Sequence, residues 1–147
     1  MKVESPAFGN GAPIPKKYTC EGGNISPPLA ISGVPENAKS LALVCDDRDA
    51  PMGTFVHWVA WKLPSSLKGI MEGAKLPGVE GTNDFGRAGY GGPCPPRGHG
   101  PHRYSFRLYA LDTQMNLRPG ASRHELERAM EGHVLENAEL IGTYERK

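Results

Sequence analysis

The 14 residues from Gly91 to Tyr104, GGPCPPRGHGPHRY, constrain the fold more than any other part of the chain. Glycine and proline at this density exclude a helix or a central strand, because proline lacks an N–H and fixes φ while glycine loses the most backbone entropy on ordering. At His102 the pattern changes to strict alternation. His102, Tyr104, Phe106, Leu108 and Ala110 share one parity, and Arg103, Ser105 and Arg107 take the other. This predicts a strand with one apolar and one wet face. Side chains two apart on a strand point the same way, so His102 and Tyr104 lead a core-facing row. The preceding loop then reads as the wall of a pocket.

The rest of the chain supplies strands to pair with this one. Glycine (19) and proline (14) make up about a fifth of the 147 residues, which demands many turns and stays below the level of a disordered chain. Short strands are predicted at Lys2–Phe8 and Leu29–Ser32, and a better one at Ser40–Asp46, where Leu41, Leu43, Cys45 and Asp47 share a parity. The segment Asp47–Pro51, DRDAP, stops that strand in a turn. Phe55–Leu63 is apolar on both parities and reads as a strand covered on both faces. From Glu72 to Pro101 there is turn chemistry and almost no period, and structureless runs beyond about 12–15 residues are usually functional or mobile. Ser122–Glu125, SRHE, matches a capping box, and Leu126, Ala129, Met130 and His133 follow at helical spacing. Ala138–Tyr144 closes the chain as a strand. The expected fold is mainly β: a single domain over residues 1–147, a β-sandwich of antiparallel sheets with one or two short helices packed near the C-terminal end.

Charge and cysteine content narrow the functional classes. Seventeen Lys and Arg against sixteen Asp and Glu give +1 with no run of either sign, so neither nucleic acid nor an anionic membrane is an expected partner. No stretch approaches the roughly 18 apolar residues of a membrane span, and the N-terminus has no apolar core of signal-peptide length. A cytoplasmic location is the expectation. Cys20, Cys45 and Cys94 are odd in number and lack CxxC spacing, which favours reduced thiols; a disulfide is the alternative for a hyperthermophilic source.

Four polar side chains fall at strand ends or inside apolar strands: Asp47, His57, His102 and Tyr104. Taken singly, each has a plain reading, a turn former for Asp47 and a hydrogen-bonded core residue for a lone histidine. Together, two imidazoles, a phenol and loop backbone N–H groups from Gly91, Gly92 or Gly98 offer donors to an anion, while Asp47 can hold one histidine's tautomer. Trp58 or Trp61 could wall such a pocket or serve as core. A metal triad from Asp47, His57 and His102 has no ligand spacing behind it, so a metal-dependent hydrolase is the least favoured reading and no metal or other cofactor is expected. No nucleophile motif, P-loop or dinucleotide fingerprint occurs, and catalysis is not expected.

Three segments, DRDAP at Asp47–Pro51, His57-Trp58, and Gly91–Asp112, resemble in sequence and order the signatures of the phosphatidylethanolamine-binding protein family. NISPPL at Asn24–Leu29, DFG at Asp84–Gly86 and the closing GHVLENAELIGTY resemble its bacterial and archaeal, Raf-kinase-inhibitor-like branch. The resemblance implies a preformed pocket for phosphate, a phosphorylated headgroup or a carboxylate. Its ligand-binding residues would be Asp47, His57, His102 and Tyr104, with Asp49 and Pro51 shaping the adjoining turn and Gly92, Pro93 and Pro95 in the wall. The expected partner is a small anion. Some family members inhibit serine proteases, which makes inhibition of a serine protease or signalling enzyme through a surface loop the alternative. The chain ends at Lys147 without the longer C-terminal helix of eukaryotic members, so kinase inhibition is not carried over. A homodimer, frequent in the branch, has no residues here that mark its interface.

Overall fold

The computed structural model describes residues 1–147, with no cis peptide bond. In chain order the strands are β1 (Lys2–Glu4), β2 (Leu29–Ser32), β3 (Ser40–Asp47), β4 (Phe55–Leu63), β5 (Gly69–Ile70), β6 (Val79–Glu80), β7 (His102–Leu111) and β8 (Val134–Tyr144). The single α-helix, α1 (Arg123–Met130), lies between β7 and β8, and a short 3-10 turn occupies Lys16–Tyr18. Two antiparallel sheets result, one of three strands in the order β1-β2-β5 and one of five in the order β6-β4-β3-β7-β8.

Alternation decides which core each strand feeds. On β3, Leu41, Leu43 and Cys45 enter the core between the two sheets, with Trp58, Phe106, Leu108 and Ile31. Ala42 and Val44, on the other parity, enter a second core under α1 with Trp61, Leu111, Leu126 and Met130. The central strand is therefore buried along its whole length. Helix α1 starts as a capping residue dictates: the Ser122 side chain accepts a hydrogen bond from the Glu125 N–H, and Leu126 and Met130 turn inward. The helix ends at Met130, short of His133, which is the last residue of the turn into β8 and pairs with Asp112 at 2.8 Å.

Three expectations need correction. β1 stops at Glu4 rather than Phe8. The face of β7 carrying Arg103, Ser105 and Arg107 is only partly wet: Ser105 is buried and Arg107 reaches the fully buried Asp46. The cause is a polar layer between this face and α1, in which Asp46 also lies 3.5 Å from Arg123 and 3.9 Å from Arg48. Finally, Trp58 and Trp61 are core residues on opposite faces of the sheet, and neither walls the pocket.

Candidate functional site

Register brings the site together. Asp47, the last residue of β3, stands between Tyr104 of β7 and Phe55 of β4. Between β3 and β4 the pairing skips, with Cys45 opposite Trp58 and Asp46 opposite Val56, so His57 is an extra, bulged residue. A bulge re-aims side chains next to it. Here it lets Phe55 and His57 line a cavity while Trp58 and Ala60 continue the core on the same face of the sheet. The cavity has a volume of about 280 Å³. Asp47, His57, His102 and Tyr104 line its polar part, and Ala50, Pro51, Phe55, Phe85, Cys94, Pro95 and Pro96 its apolar part.

Each polar group has defined bonding. His57, 3 % exposed, donates from Nδ1 to the Gly91 carbonyl at 2.6 Å, since a carbonyl can only accept; its Nε2 remains uncommitted. Burial holds the His57 pKa below the ordinary histidine value, so the ring is neutral at pH 7. Asp47 accepts from His102 Nδ1 at 2.6 Å and from the Asp49 N–H at 2.8 Å. His102, 2 % exposed, meets His99 Nδ1 through its other nitrogen, Nε2, at 2.6 Å. Tyr104 is 1 % exposed and its hydroxyl makes no hydrogen bond of ordinary geometry, although the Asp47 carboxylate stands near enough to act on it. Burial first, and then the Asp47 charge, push the Tyr104 pKa far above the usual phenol range, so it keeps its proton as a donor. A buried hydroxyl without a partner costs about 1–3 kcal/mol. The rings pack in sequence, Phe55 tilted and Phe85 edge-on against His57, and His57 edge-on against Tyr104, which fixes their orientation.

The remaining residues singled out in the sequence have supporting places. Asp49 does not line the cavity. Its carboxylate takes the Arg103 backbone N–H and both arms of the Arg103 guanidinium at 2.9–3.0 Å, tying the turn after β3 to the start of β7. This bonding holds the Asp49 carboxyl at a pKa of about 2. Pro51 and Pro95 are lining residues, whereas Gly92 and Pro93 lie behind the wall. The Gly92 N–H donates to Asn24 Oδ1 at 2.8 Å, and the Pro93 carbonyl accepts from the Cys20 N–H at 3.1 Å. A Cβ on Gly92 would overlap the Tyr18 carbonyl oxygen and come within 2.5 Å of Asn24 Oδ1. The backbone can pass here only without a side chain.

The expectation of reduced thiols is overturned for two of the three cysteines. Cys20 and Cys94 form a disulfide, with Cα atoms 5.4 Å apart across 74 residues of sequence, and Cys94 lines the cavity. Sequence spacing carried no sign of this, because the pairing depends on the wall loop lying against the segment after the 3-10 turn. Cys45 is free and buried, and burial pushes its thiol well up. Arg48 also sits away from the cavity, in a groove with Asp49, Arg103, Ser105 and Glu139. Residues that sequence reasoning left out include Phe55 and Phe85 in the cavity wall, His99 against His102, and Arg146, whose Nε donates to the Pro95 carbonyl at 2.6 Å. Only His99 carried a signal, its position three residues before His102 in the loop.

A family model described as phosphatidylethanolamine-binding protein matches residues 4–145. The chain belongs to the phosphatidylethanolamine-binding protein family. It is 58% identical over 155 residues to a UPF0098 protein of Pyrococcus horikoshii, an alignment covering all of this chain and 77% of that one. A putative phosphatidylethanolamine-binding protein homolog from Chlamydia trachomatis has the same fold, with a TM-score of 0.95, 44% identity and 99% and 97% of the two chains covered. YbcL of E. coli, described as a new member of the mammalian family, matches with a TM-score of 0.92 at 34% identity over 99% and 98% of the two chains. Membership accounts for the placement of the three signature segments: DRDAP ends β3, His57-Trp58 sits at the β4 bulge, and HRY opens β7.

Proposed function

We propose that this protein is a non-enzymatic binding protein whose cavity takes a small anion, either a phosphate-bearing group or a carboxylate. The observation that carries this reading is the Tyr104 hydroxyl, a proton donor buried without a partner on a cavity wall. It lies beside His57, whose Nε2 is equally uncommitted. An anion accepting from both would relieve the unpaired hydroxyl and gain charge-assisted bonds.

Asp47 makes the binding proton-linked. A carboxylate in the lining and a neutral His57 leave the polar end of the cavity without a net positive charge. The anion therefore enters together with a proton, which His57 takes at Nε2. The apolar half of the lining suits a carbon substituent on the anion, so a short alkyl phosphate binds at least as well as inorganic phosphate. The wall is braced by the disulfide, Asn24 and Arg146, and little ordering entropy is lost on binding.

Calorimetric titration with inorganic phosphate and phosphoethanolamine tests the reading. Saturable binding, weakened roughly tenfold or more in Tyr104→Phe, is expected. Equal affinity in the wild type and in Tyr104→Phe, His57→Ala and Asp47→Ala would remove the cavity from the account.

A further inference from the structure

As folded, His102 has no nitrogen to give a ligand. Its Nδ1–H donates to Asp47, because a carboxylate only accepts, and its Nε2 faces His99 Nδ1 at 2.6 Å. In the Nδ1–H tautomer Nε2 presents a lone pair, so His99 donates its Nδ1–H. His99 is exposed and does not line the cavity, whereas His102 is buried and does. Glycines flank His99 on both sides, with free space around each. Gly98 and Gly100 hold φ values of +74° and +87°, and a Cβ on either would meet open space. The turn is fastened by His99 N–H to the Pro96 carbonyl at 3.2 Å and by Gly98 N–H to the Arg146 carbonyl at 2.9 Å.

We propose that His99 is an internal competitor for the anion: it masks His102 Nε2, and full engagement of the ligand requires it to swing away on its flanking glycines. This rests on the anion reading of the cavity. With His99 in place, a ligand reaches only Tyr104 and His57. Once His99 leaves, the His102 Nε2 lone pair, still oriented by Asp47, accepts the O–H of a phosphate in its dihydrogen form. The wall from Gly91 to Pro96 keeps its own bonds to Asn24, Cys20 and Arg146 throughout, so the movement is confined to residues 97–100.

Two measurements on the full chain decide this. In 15N-labelled protein without ligand, a coupling across the hydrogen bond between His99 Nδ1 and His102 Nε2 is expected, with His102 in the Nδ1–H tautomer. In titrations with inorganic phosphate, His99→Ala should bind about 2- to 12-fold more tightly, the net worth of one hydrogen bond no longer broken. His99→Asn, whose side-chain amide can reach where Nδ1 stood, should return toward the wild-type affinity. Unchanged or weaker binding in His99→Ala would overturn the proposal, as would absence of the coupling in a protein that binds phosphate. If the coupling is present and neither protein binds phosphate, the anion reading fails, and the competition fails with it.

Discussion

Reduction of the Cys20–Cys94 bridge, or its replacement in a Cys20→Ser/Cys94→Ser variant, should weaken the fold far more than it alters the cavity. The bridge closes a loop with a sequence separation of 74. The chain-entropy relation assigns such a loop about 4.5 kcal/mol of stabilisation at 25 °C, acting through the unfolded chain. For 147 residues the unfolding entropy is about 0.31 kcal/mol/K, so the expected loss in Tm is about 14 °C. In the folded state the wall loop keeps its hydrogen bonds from the Cys20 N–H to Pro93, from the Gly92 N–H to Asn24, and from Tyr90 to the Tyr18 carbonyl at 2.7 Å. The variant should therefore still fold at 25 °C and bind phosphate within a few-fold of wild type. Guanidinium melts with and without reductant, paired with thiol titration of the denatured protein, provide the assay. One reactive thiol before reduction and three after are expected. Three thiols before reduction, or a destabilisation below about 1 kcal/mol, would refute the reasoning.

Gly92→Ala should destabilise by about 2–4 kcal/mol through the clash with Tyr18 and the lost approach to Asn24, seen as a lower midpoint in the same melts. Tyr104→Phe should have opposite effects on two readouts: the ligand-free protein gains up to about 1–3 kcal/mol by losing an unpaired buried hydroxyl, while phosphate affinity falls. Because burial lowers the folded-state pKa of His57, its contribution to stability is fully present above the unfolded value of about 6.5. That contribution is lost as pH falls from there through the folded value. Phosphate should offset this loss, so the ligand-induced rise in Tm is larger at pH 5.5 than at pH 8. Ser122→Ala, which removes the cap of α1, should cost about 1 kcal/mol and leave phosphate binding unchanged.

Much of the site was legible because strand parity is a local rule. Leu43, Cys45 and Asp47 on β3, and His102, Tyr104 and Phe106 on β7, share faces as the alternation required. The same rule failed on β4, whose pairing with β3 shifts register twice. Parity groups His57 with Val59 and Trp61, yet these two enter the core under α1 while His57 lines the cavity, because the bulge shifts the phase. A bulge arises from pairing with a neighbour, so the strand's own sequence does not display it. The disulfide, the Phe85 wall and the burial of Asp46 are likewise products of packing between distant segments. The two-residue strands β5 and β6 were too short to show any period. The helix start was readable from the cap, and its end was not, since His133 continues the helical spacing but belongs to the next turn.

The most direct test of the anion cavity is an NMR titration of inorganic phosphate at pH 6.5, following the His57 ring in wild-type protein and in Tyr104→Phe. The account predicts a saturable downfield shift as His57 Nε2 takes up a proton, with a markedly higher phosphate midpoint in the variant. A His57 ring that does not respond in wild-type protein, or that responds identically in both, would contradict it.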